Sequence, residues 1–512
     1  MTRALARRPE TALFVLALGA YAYFFQAGGW NQNVRFDLTR AIVEQHTLVL
    51  DDYIVNTGDY AYANHHYYSD KAPGLSLLAV PVYAAVHPLA RGQRVRGWLV
   101  HLGAYLSTLI CVSLPAALAV VMLFRVAMVL GAPAAPAAGL AVAWAFGTLA
   151  LPYATLFYGH QLTAALLFIA FGLLVTARAA ARWTASRMLL VGLLLGGAVG
   201  VEYPAALAVA VIGAYALALV RPRGRLVWMA LGGALPLLVV AAYHTAAFGG
   251  PLTSGYGATG DRARDGGLFL GITLPSARVL EKVVLSPGRG LLRHAPWLIL
   301  GVLGAVRLIR DRTRRPEGLV CLGVIVLGLW FNSSLTQTPG DWAAGRGIGT
   351  RHLVPSLPFY VLAMVGLIGD WWRHPRLRAG VAAAFSVLVV MSASRMLVAT
   401  AVLPEVPLVD DPFEDYLLPR WRADQVAVNT IPFHTGPVND DPTAWNLGQK
   451  MGIAGRASLL PLAGFALVTA VWLAVAVRRR AAPSDRPPTR SLLEQDLRGE
   501  LDLARRARVA RG

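Results

Sequence analysis

The sequence contains few cysteines and few charged residues, and both shortages exclude certain classes of protein. Cys111 and Cys321 are the only cysteines in 512 residues, and both lie in apolar runs, which excludes a disulfide framework or a thiolate metal site. Charged residues make up 15% of the chain, whereas a soluble protein carries about 25%. No internal repeat of fixed period is visible either, including the weak symmetry that a transporter with inverted repeats would show.

Apolar sequence is abundant instead. The chain is 56% hydrophobic, and apolar runs of the length that a helix needs to cross a bilayer recur along it. The net charge of +19 would suit a nucleic-acid-binding protein, but the arginines lie in short loops between the runs, as in the cytoplasmic loops of membrane proteins. The sequence therefore predicts an all-α polytopic membrane protein with no nucleic-acid partner.

The basic loops predict the topology. If all of them are cytoplasmic, about twelve transmembrane helices place both termini inside the cell. These basic segments are Arg3–Arg8, Ala177–Arg187, Arg221–Arg225, Arg307–Arg315, Trp371–Arg378 and the stretch from Arg478 onward. The predicted spans begin near residues 11, 98, 133, 160, 188, 203, 226, 294, 317, 352, 378 and 457. The first run shows no cleavage site, which indicates a retained helix.

Two apolar segments do not follow the simple rule that each apolar run crosses the membrane once. Counting residues 72–90 as a span would move every later basic loop outside, so we predict a helix in the outer interface of the membrane there. Residues 188–220 must cross twice to keep both flanking basic loops inside. This requirement predicts a short helical hairpin with Glu202 and Tyr203 at its tip.

The resulting plan is a transmembrane domain over residues 1–480 with a cytoplasmic basic tail. The tail, residues 481–512, ends in an amphipathic stretch that we expect to bind anionic lipid headgroups. Three large outer loops are predicted, residues 29–93, 248–293 and, as the third, 403–456, with a shorter one at residues 336–351.

Most of the candidate catalytic and substrate-binding residues lie in the first outer loop. Asp37 follows the first span closely, where a carboxylate is placed to deprotonate an acceptor hydroxyl. Lys71, Arg40 or a later arginine would then stabilise a departing phosphate. In the alternative interpretation, Asp37 caps an interfacial helix and pairs with Arg40 at i+3. The residues leave both interpretations open.

Histidines in the same loop raise the question of a metal. His65 and His66, with Asp59 and Asp70, are possible ligands, but adjacent histidines do not easily face one ion and the spacing fits no zinc pattern. A polar loop surface is the alternative. We therefore expect no cofactor, with a divalent metal as the second possibility.

Three further candidates lie outside that loop. His160 begins the fourth span and is either an interfacial residue or a substrate ligand. Glu202 is a carboxylate at membrane depth, which suggests function, although a structural hydrogen bond at the hairpin tip fits equally well. The stretch from Arg346 to Arg351 and His352 combines glycines, which let backbone approach a ligand, with two arginines suited to phosphate.

These motifs resemble the first outer loop of the GT-C glycosyltransferases, particularly the family 39-like group with its protein mannosyltransferases and lipid A aminoarabinose transferases. The resemblance is carried by Asp37, by Gly58-Asp59 and by the run Tyr68-Ser-Asp-Lys-Ala-Pro73. It implies a GT-C-like fold, a catalytic carboxylate at Asp37, a lysine that handles lipid phosphate at Lys71, and no metal. The family's acidic residue near the fourth span is replaced here by His160, and no large soluble domain follows.

The prediction is thus a membrane glycosyltransferase of the cell envelope that moves a hexose or pentose from a polyprenyl-phosphate donor. The acceptor would be a lipid, an envelope glycan or a protein on the outer face of the plasma (inner) membrane. Besides catalytic Asp37, the predicted substrate-binding residues are Arg40, Asp59, His65, His66, Tyr68, Asp70, Lys71, His160, Glu202, Arg346, Arg351 and His352. The alternatives are a transporter or flippase of lipid-linked sugars, and a non-catalytic scaffold.

Overall fold

The computed structural model describes residues 8–89, 93–257, 272–335, 342, 345–372, 374–431 and 443–480. The basic tail and parts of three outer loops (258–271, 336–341 and 432–442) lie outside these described residues. The first part of the chain forms α1 (Pro9–Ala22), β1 (Phe24–Gln26), α2 (Trp30–Arg40), β2 (Ala61–Ala63), β3 (His66–Tyr68), α3 (Gly74–Val86), α4 (Gln93–Thr108), α5 (Leu114–Val129), α6 (Ala134–Gly147), α7 (Ala150–Tyr153), α8 (Gly159–Ala179), α9 (Ala185–Val201), α10 (Ala205–Leu219) and α11 (Arg225–Phe248). The second part forms α12 (Ala277–Leu285), α13 (Leu291–His294), α14 (Ile299–Arg310), α15 (Arg315–Ser333), α16 (Leu357–Ala363), α17 (Val365–Trp372), α18 (Pro375–Val402), α19 (Leu418–Arg422), β4 (Ala444–Asn446), α20 (Leu447–Lys450) and α21 (Leu460–Arg480).

The long helices are apolar enough to cross a membrane. Among the described residues, seven helical segments meet the length and composition that a span needs. They are Leu99–Val129, Gly159–Ala179, Arg225–Phe248, Arg315–Ser333, Arg351–Gly369, Pro375–Val402 and Gly455–Arg480. The apolar windows of α11 and α18 are only 17% buried, as expected for helices that face lipid. The prediction of an all-α polytopic membrane protein is confirmed.

Helices also begin within five residues of every predicted span start. Several of these helices are shorter than 18 residues, so a crossing by each of the twelve stays a prediction. The hairpin predicted for residues 188–220 is present, because α9 ends at Val201 and α10 begins at Ala205, with Glu202 and Tyr203 between them.

The basic helix ends lie together. Arg480, at the end of α21, places its Nη1 2.8 Å from Oε1 of Glu10 in α1. Arg178, at the end of α8, places its Nη1 2.6 Å from Oε1 of Glu317 at the start of α15. The end of α21 therefore lies against the start of α1, and the end of α8 lies against the start of α15. The opposite end of α8 contributes to the polar region described below.

Tight packing holds the centre of the bundle. Aromatic rings join α6, α8 and α16, with ring centroids 6.1 Å apart for Trp144 and Phe168 and 5.4 Å apart for Phe168 and Phe359. In α9, Gly192 and Gly196 lie against the backbone of α11, which only residues without a large side chain permit. The close contact of α9 with α11 and α8 fixes the position of the hairpin tip.

The outer region is built on α2 and α3 and is closed by short strands. β1 pairs antiparallel with β4, so the end of α1 is joined to the third outer loop. α2 packs on α3, which has 13 residues and spans about 20 Å at 1.5 Å per residue, less than the ~30 Å core of a bilayer. That length fits the predicted helix in the outer interface.

Candidate active site

Buried polar side chains gather where the outer ends of the helices meet the first loop. They come from α2, from the segment before α3, from the start of α8, from the α9–α10 tip, from the 3₁₀ turn Arg351–Ser356 and from the loop after α18. Because helix ends carry unpaired backbone groups, polar side chains are more easily accommodated there than in the middle of a span. This region is the candidate active site.

Asp37 lies inside α2, and its carboxyl group is fully buried. Asn56 donates a hydrogen bond from Nδ2 to Oδ1 at 3.3 Å, whereas Oδ2 has no hydrogen-bond partner among the described residues. Burial raises the pKa of Asp37 to about 8, against the opposing effects of nearby Arg40 and of the Asn56 hydrogen bond. A carboxyl group with that pKa exchanges protons near neutral pH, which suits a general base.

The capping interpretation of Asp37 is wrong. Gly29 occupies the N-cap of α2, and Asp37 lies in its third turn. Arg40 forms its ion pair with Glu44 instead, at 2.9 Å from Nε to Oε1, and its guanidinium lies over the Tyr53 ring. Arg40 is therefore a compensated cation beside Asp37.

Lys71 joins the two acidic motifs of the first loop. Its Nζ lies 3.0 Å from Oδ2 of Asp59 and 2.9 Å from Oδ2 of Asp70, and the side chain is largely buried. The Tyr256 ring lies 5.8 Å away. Two carboxylates thus surround the single positive charge of Lys71.

The α9–α10 tip contacts α2 through a buried ion pair. Nη2 of Arg35 lies 2.6 Å from Oε1 of Glu202, and the two side chains are 1% and 9% exposed. The same carboxylate oxygen is 3.6 Å from Nδ1 of His160. Nε2 of His160 has no hydrogen-bond partner in the described part of the chain. Glu202 therefore connects the helix that carries Asp37 with the start of α8.

Arg351 is a partly buried cation of the site that has no ion-pair partner among the described residues. Arg35, Arg40 and Lys71 each have a carboxylate within 4.0 Å, whereas Arg351 has none among the described residues. Its Nη1 donates to the hydroxyl of Tyr158 at 3.4 Å, and its Nε has no partner in the part of the chain that is described.

The neighbouring ring of His352 meets the ring of His160 edge-on, with centroids 4.9 Å apart. A guanidinium with an N–H group that lacks a partner is suited to an anion.

Glu405 was not among the sequence candidates. It follows α18, and Gln32 donates to its Oε2 at 3.2 Å across 373 residues of chain. Burial raises the pKa of Glu405 to about 7, against the Gln32 hydrogen bond and nearby Arg351. A single glutamate among prolines carries no local signal, so only the fold brings it to α2.

Arg289 holds this part of the site in place. Its guanidinium donates to the backbone carbonyls of Gly345 and Gly347 and, at 2.8 Å, to that of Pro407. Gly347 also forms a backbone bridge with Glu405. The hydrogen bonds of Arg289 therefore hold together the loops that carry Arg351 and Glu405.

Four sequence candidates lie outside the buried cluster. His65 and His66 are exposed on the turn between β2 and β3, and Nδ1 of His66 lies 2.7 Å from Oδ2 of Asp51. Arg346 is exposed and lies over the Trp30 ring. Tyr68 is buried, but it packs against Phe248 rather than facing the cluster. The substrate-binding roles assigned to these residues stay predictions. Within the described residues, no group of three or more His, Cys, Asp or Glu side chains is arranged to hold a metal ion.

An apolar groove leads to the cluster. Its walls come from α8, α10 and α15, and its volume is about 500 Å³ including space open to the outside. The apolar lining is Leu167, Pro204, Ala205, Leu207, Ala208, Val324, Leu327, Phe331 and Pro355. Its polar end is formed by His160, Glu202 and His352. A ligand with a long apolar chain and a charged head matches this division.

Comparisons with known proteins give similarity in structure only. No family model matches the chain, and no curated protein matches it. The structure is similar to that of ArnT from Cupriavidus metallidurans bound to undecaprenyl phosphate, with a TM-score of 0.45 and 14% identity over 91% of this chain and 75% of that one. It is also similar to the oligosaccharyltransferase of Archaeoglobus fulgidus in the apo form, with a TM-score of 0.44 and 12% identity over 85% of this chain and 61% of that one. At these values the similarity concerns overall architecture.

Proposed function

We propose that this protein is a GT-C-like membrane glycosyltransferase that moves a sugar from a polyprenyl-phosphate donor to a lipid, envelope glycan or protein acceptor. The observation that carries the proposal is the Asp37 carboxyl group, which is buried near Arg40 with one oxygen unpartnered among the described residues. The first-loop motifs support the same activity. The site would face the outside of the plasma membrane, with both termini cytoplasmic.

In this proposal the apolar chain of the donor occupies the groove between α8, α10 and α15. Arg351 binds the donor phosphate, because no carboxylate of the described chain lies within 4.0 Å of its guanidinium and its Nε has no partner there. Lys71 is held by Asp59 and Asp70, and its third N–H is assigned to the phosphate. This division assigns binding to the groove and electrostatic stabilisation to the cations.

The reaction is a direct displacement. Asp37 takes the proton of the acceptor hydroxyl, and the hydroxyl oxygen forms a bond with the anomeric carbon of the sugar. The bond between that carbon and the phosphate oxygen breaks, and its electron pair stays on the phosphate. Arg351 stabilises the negative charge that accumulates on the departing polyprenyl phosphate.

Transport is less well supported. A transporter of lipid-linked sugars needs charged groups along its path through the membrane. In the described residues, the buried charged side chains lie at helix ends or in outer loops, as Glu202 and Glu317 illustrate.

The test uses purified protein in nanodiscs with radiolabelled undecaprenyl-phosphate sugars and acceptors extracted from membranes. We expect label to reach an acceptor with the wild type and with Asp51→Asn, an exposed carboxylate of the same loop. Asp37→Asn is expected to transfer little or none. Equal transfer by Asp37→Asn would reject Asp37 as the base, and movement of label across liposomes without transfer would identify a flippase.

A further inference from the structure

The His160 imidazole is a polar group that the proposed displacement does not use. Its ring is buried, it lines the polar end of the groove, and its Nε2 has no hydrogen-bond partner among the described residues. A buried ring nitrogen without a partner is costly unless a ligand supplies one. Nε2 of His160 is therefore placed to hydrogen-bond with a ligand group that enters through the groove.

The surroundings of His160 set the chemistry of that ligand. On the Nδ1 side, the Glu202 carboxylate lies 3.6 Å away, which favours the neutral tautomer with its hydrogen on Nδ1. Glu202 is held by Arg35, which fixes the carboxylate in place. In that tautomer Nε2 is the nitrogen that gains or loses the proton, and Glu202, already paired with Arg35, lies beside the resulting imidazolium.

The other charged and titratable groups near the ring are cations, most of them paired, and aromatic side chains. Arg351 and His352 approach from the 3₁₀ turn, Arg35 with its partner Glu202 from α2, and Lys71 with its partners Asp59 and Asp70 from the first loop. Tyr158 and Tyr153 contact the ring from the preceding segment. Glu202 is the one carboxylate within 4.0 Å of the ring in the described part of the chain.

We propose that His160 is a ligand for the phosphate of the lipid carrier, donating a hydrogen bond from Nε2 and taking up a proton as the phosphate binds. This inference rests on the proposed function, since it takes the carrier phosphate as the charged head in the groove. The proton comes from solvent and goes to Nε2, and no covalent bond forms or breaks in this step. Glu202 acts as a positioning residue that compensates the charge of the ring.

The test measures binding without catalysis. The probes are methyl farnesyl phosphate, a phosphodiester that does not titrate near neutral pH, and farnesol, which has the same chain without the phosphate. Affinities and proton uptake are measured by isothermal titration calorimetry at pH 7.5 in buffers of different ionisation enthalpy. The variants are His160→Gln and, as a groove control, Ala208→Phe, which fills the apolar wall.

We expect His160→Gln to weaken binding of methyl farnesyl phosphate about tenfold or more and to leave farnesol binding unchanged, because only the phosphate contact is lost. Ala208→Phe should weaken binding of both probes. Proton uptake should accompany phosphodiester binding by the wild type and disappear in His160→Gln, a result that a merely structural role would not produce.

Three further variants assign the proton. Asp37→Asn and Glu405→Gln should retain the uptake although both carboxyl groups titrate near neutral pH. Loss of the uptake in His352→Gln but not in His160→Gln would overturn the proposal, as would equal weakening of both probes by His160→Gln. If the wild type binds neither probe, the donor assignment itself fails, and the proposed function fails with it.

Discussion

Removing the carboxylate that compensates Arg35 should destabilise the protein more than removing any exposed acidic partner. In Glu202→Gln the guanidinium of Arg35 stays buried, 1% exposed, without its ion-pair partner at 2.6 Å. Breaking a buried ion pair on one side costs about 3–5 kcal/mol, because the remaining charge has lost both water and its partner. Arg35 also donates hydrogen bonds to the carbonyl of Ala72 and to the side chain of Asn31, so the residue cannot simply move into solvent.

The matched control is Glu414→Gln in the third outer loop. Glu414 lies 3.4 Å from both Arg293 and Arg395, but its side chain is 42% exposed. An exposed pair of this kind contributes about 0–1 kcal/mol. The two variants remove the same charge from a glutamate, so burial is the main difference between them.

Unfolding of the purified variants in a titration with denaturing detergent measures the difference. Glu202→Gln should unfold at clearly lower denaturant than the wild type, and Glu414→Gln at nearly the same concentration. The double variant Arg35→Leu with Glu202→Leu should recover part of the loss, because apolar residues leave no unpaired charge. Equal midpoints for Glu202→Gln and Glu414→Gln would refute the reasoning.

Three other outcomes follow from the site. Asp37 must be ionised to act as a base, and its pKa is about 8. The transfer rate should therefore rise about tenfold per pH unit below pH 8 and level off above pH 8. A transfer rate that does not change from pH 6 to 9 would contradict this assignment. Arg351→Gln should weaken binding of polyprenyl phosphate at least tenfold, while exposed Arg346→Gln should change it less than twofold; equal effects would argue against Arg351 as the phosphate ligand. Replacing His65 and His66 together by alanine should leave the transfer rate within about twofold of the wild type, because both are exposed on a hairpin turn. A large loss of transfer would instead support the substrate-binding role predicted for them.

The helices could be predicted well because their signals are local. Apolar runs and arginine-rich loops are properties of neighbouring residues, and they predicted to within five residues where a helix begins for each of the twelve proposed spans. The requirement that basic loops share one face also predicted the hairpin between α9 and α10, which no single run of residues shows.

The partners within the site could be predicted only in part. Lys71 and Asp59 were both candidates through their motifs, but their ion pair joins residues 12 positions apart through the loop fold. The contact of Glu405 with Gln32 depends on β1 pairing with β4, which brings the end of the chain to its beginning. Spacing alone also could not predict which acidic residue pairs with Arg40. The i+3 spacing suggested Asp37, whereas the structure pairs Arg40 with Glu44, one helical turn further along the chain.

The most direct test of the central claim is the rate of label transfer from an undecaprenyl-phosphate sugar to an acceptor by the wild type and by Asp37→Asn in the same nanodiscs. Loss of a general base lowers a rate about 10²–10⁴-fold, so the variant should transfer at or below one hundredth of the wild-type rate while binding polyprenyl phosphate equally well. Wild-type transfer that Asp37→Asn matches would contradict the assignment of the base. A wild type that transfers no label from any lipid-linked sugar would contradict the proposed glycosyltransferase itself.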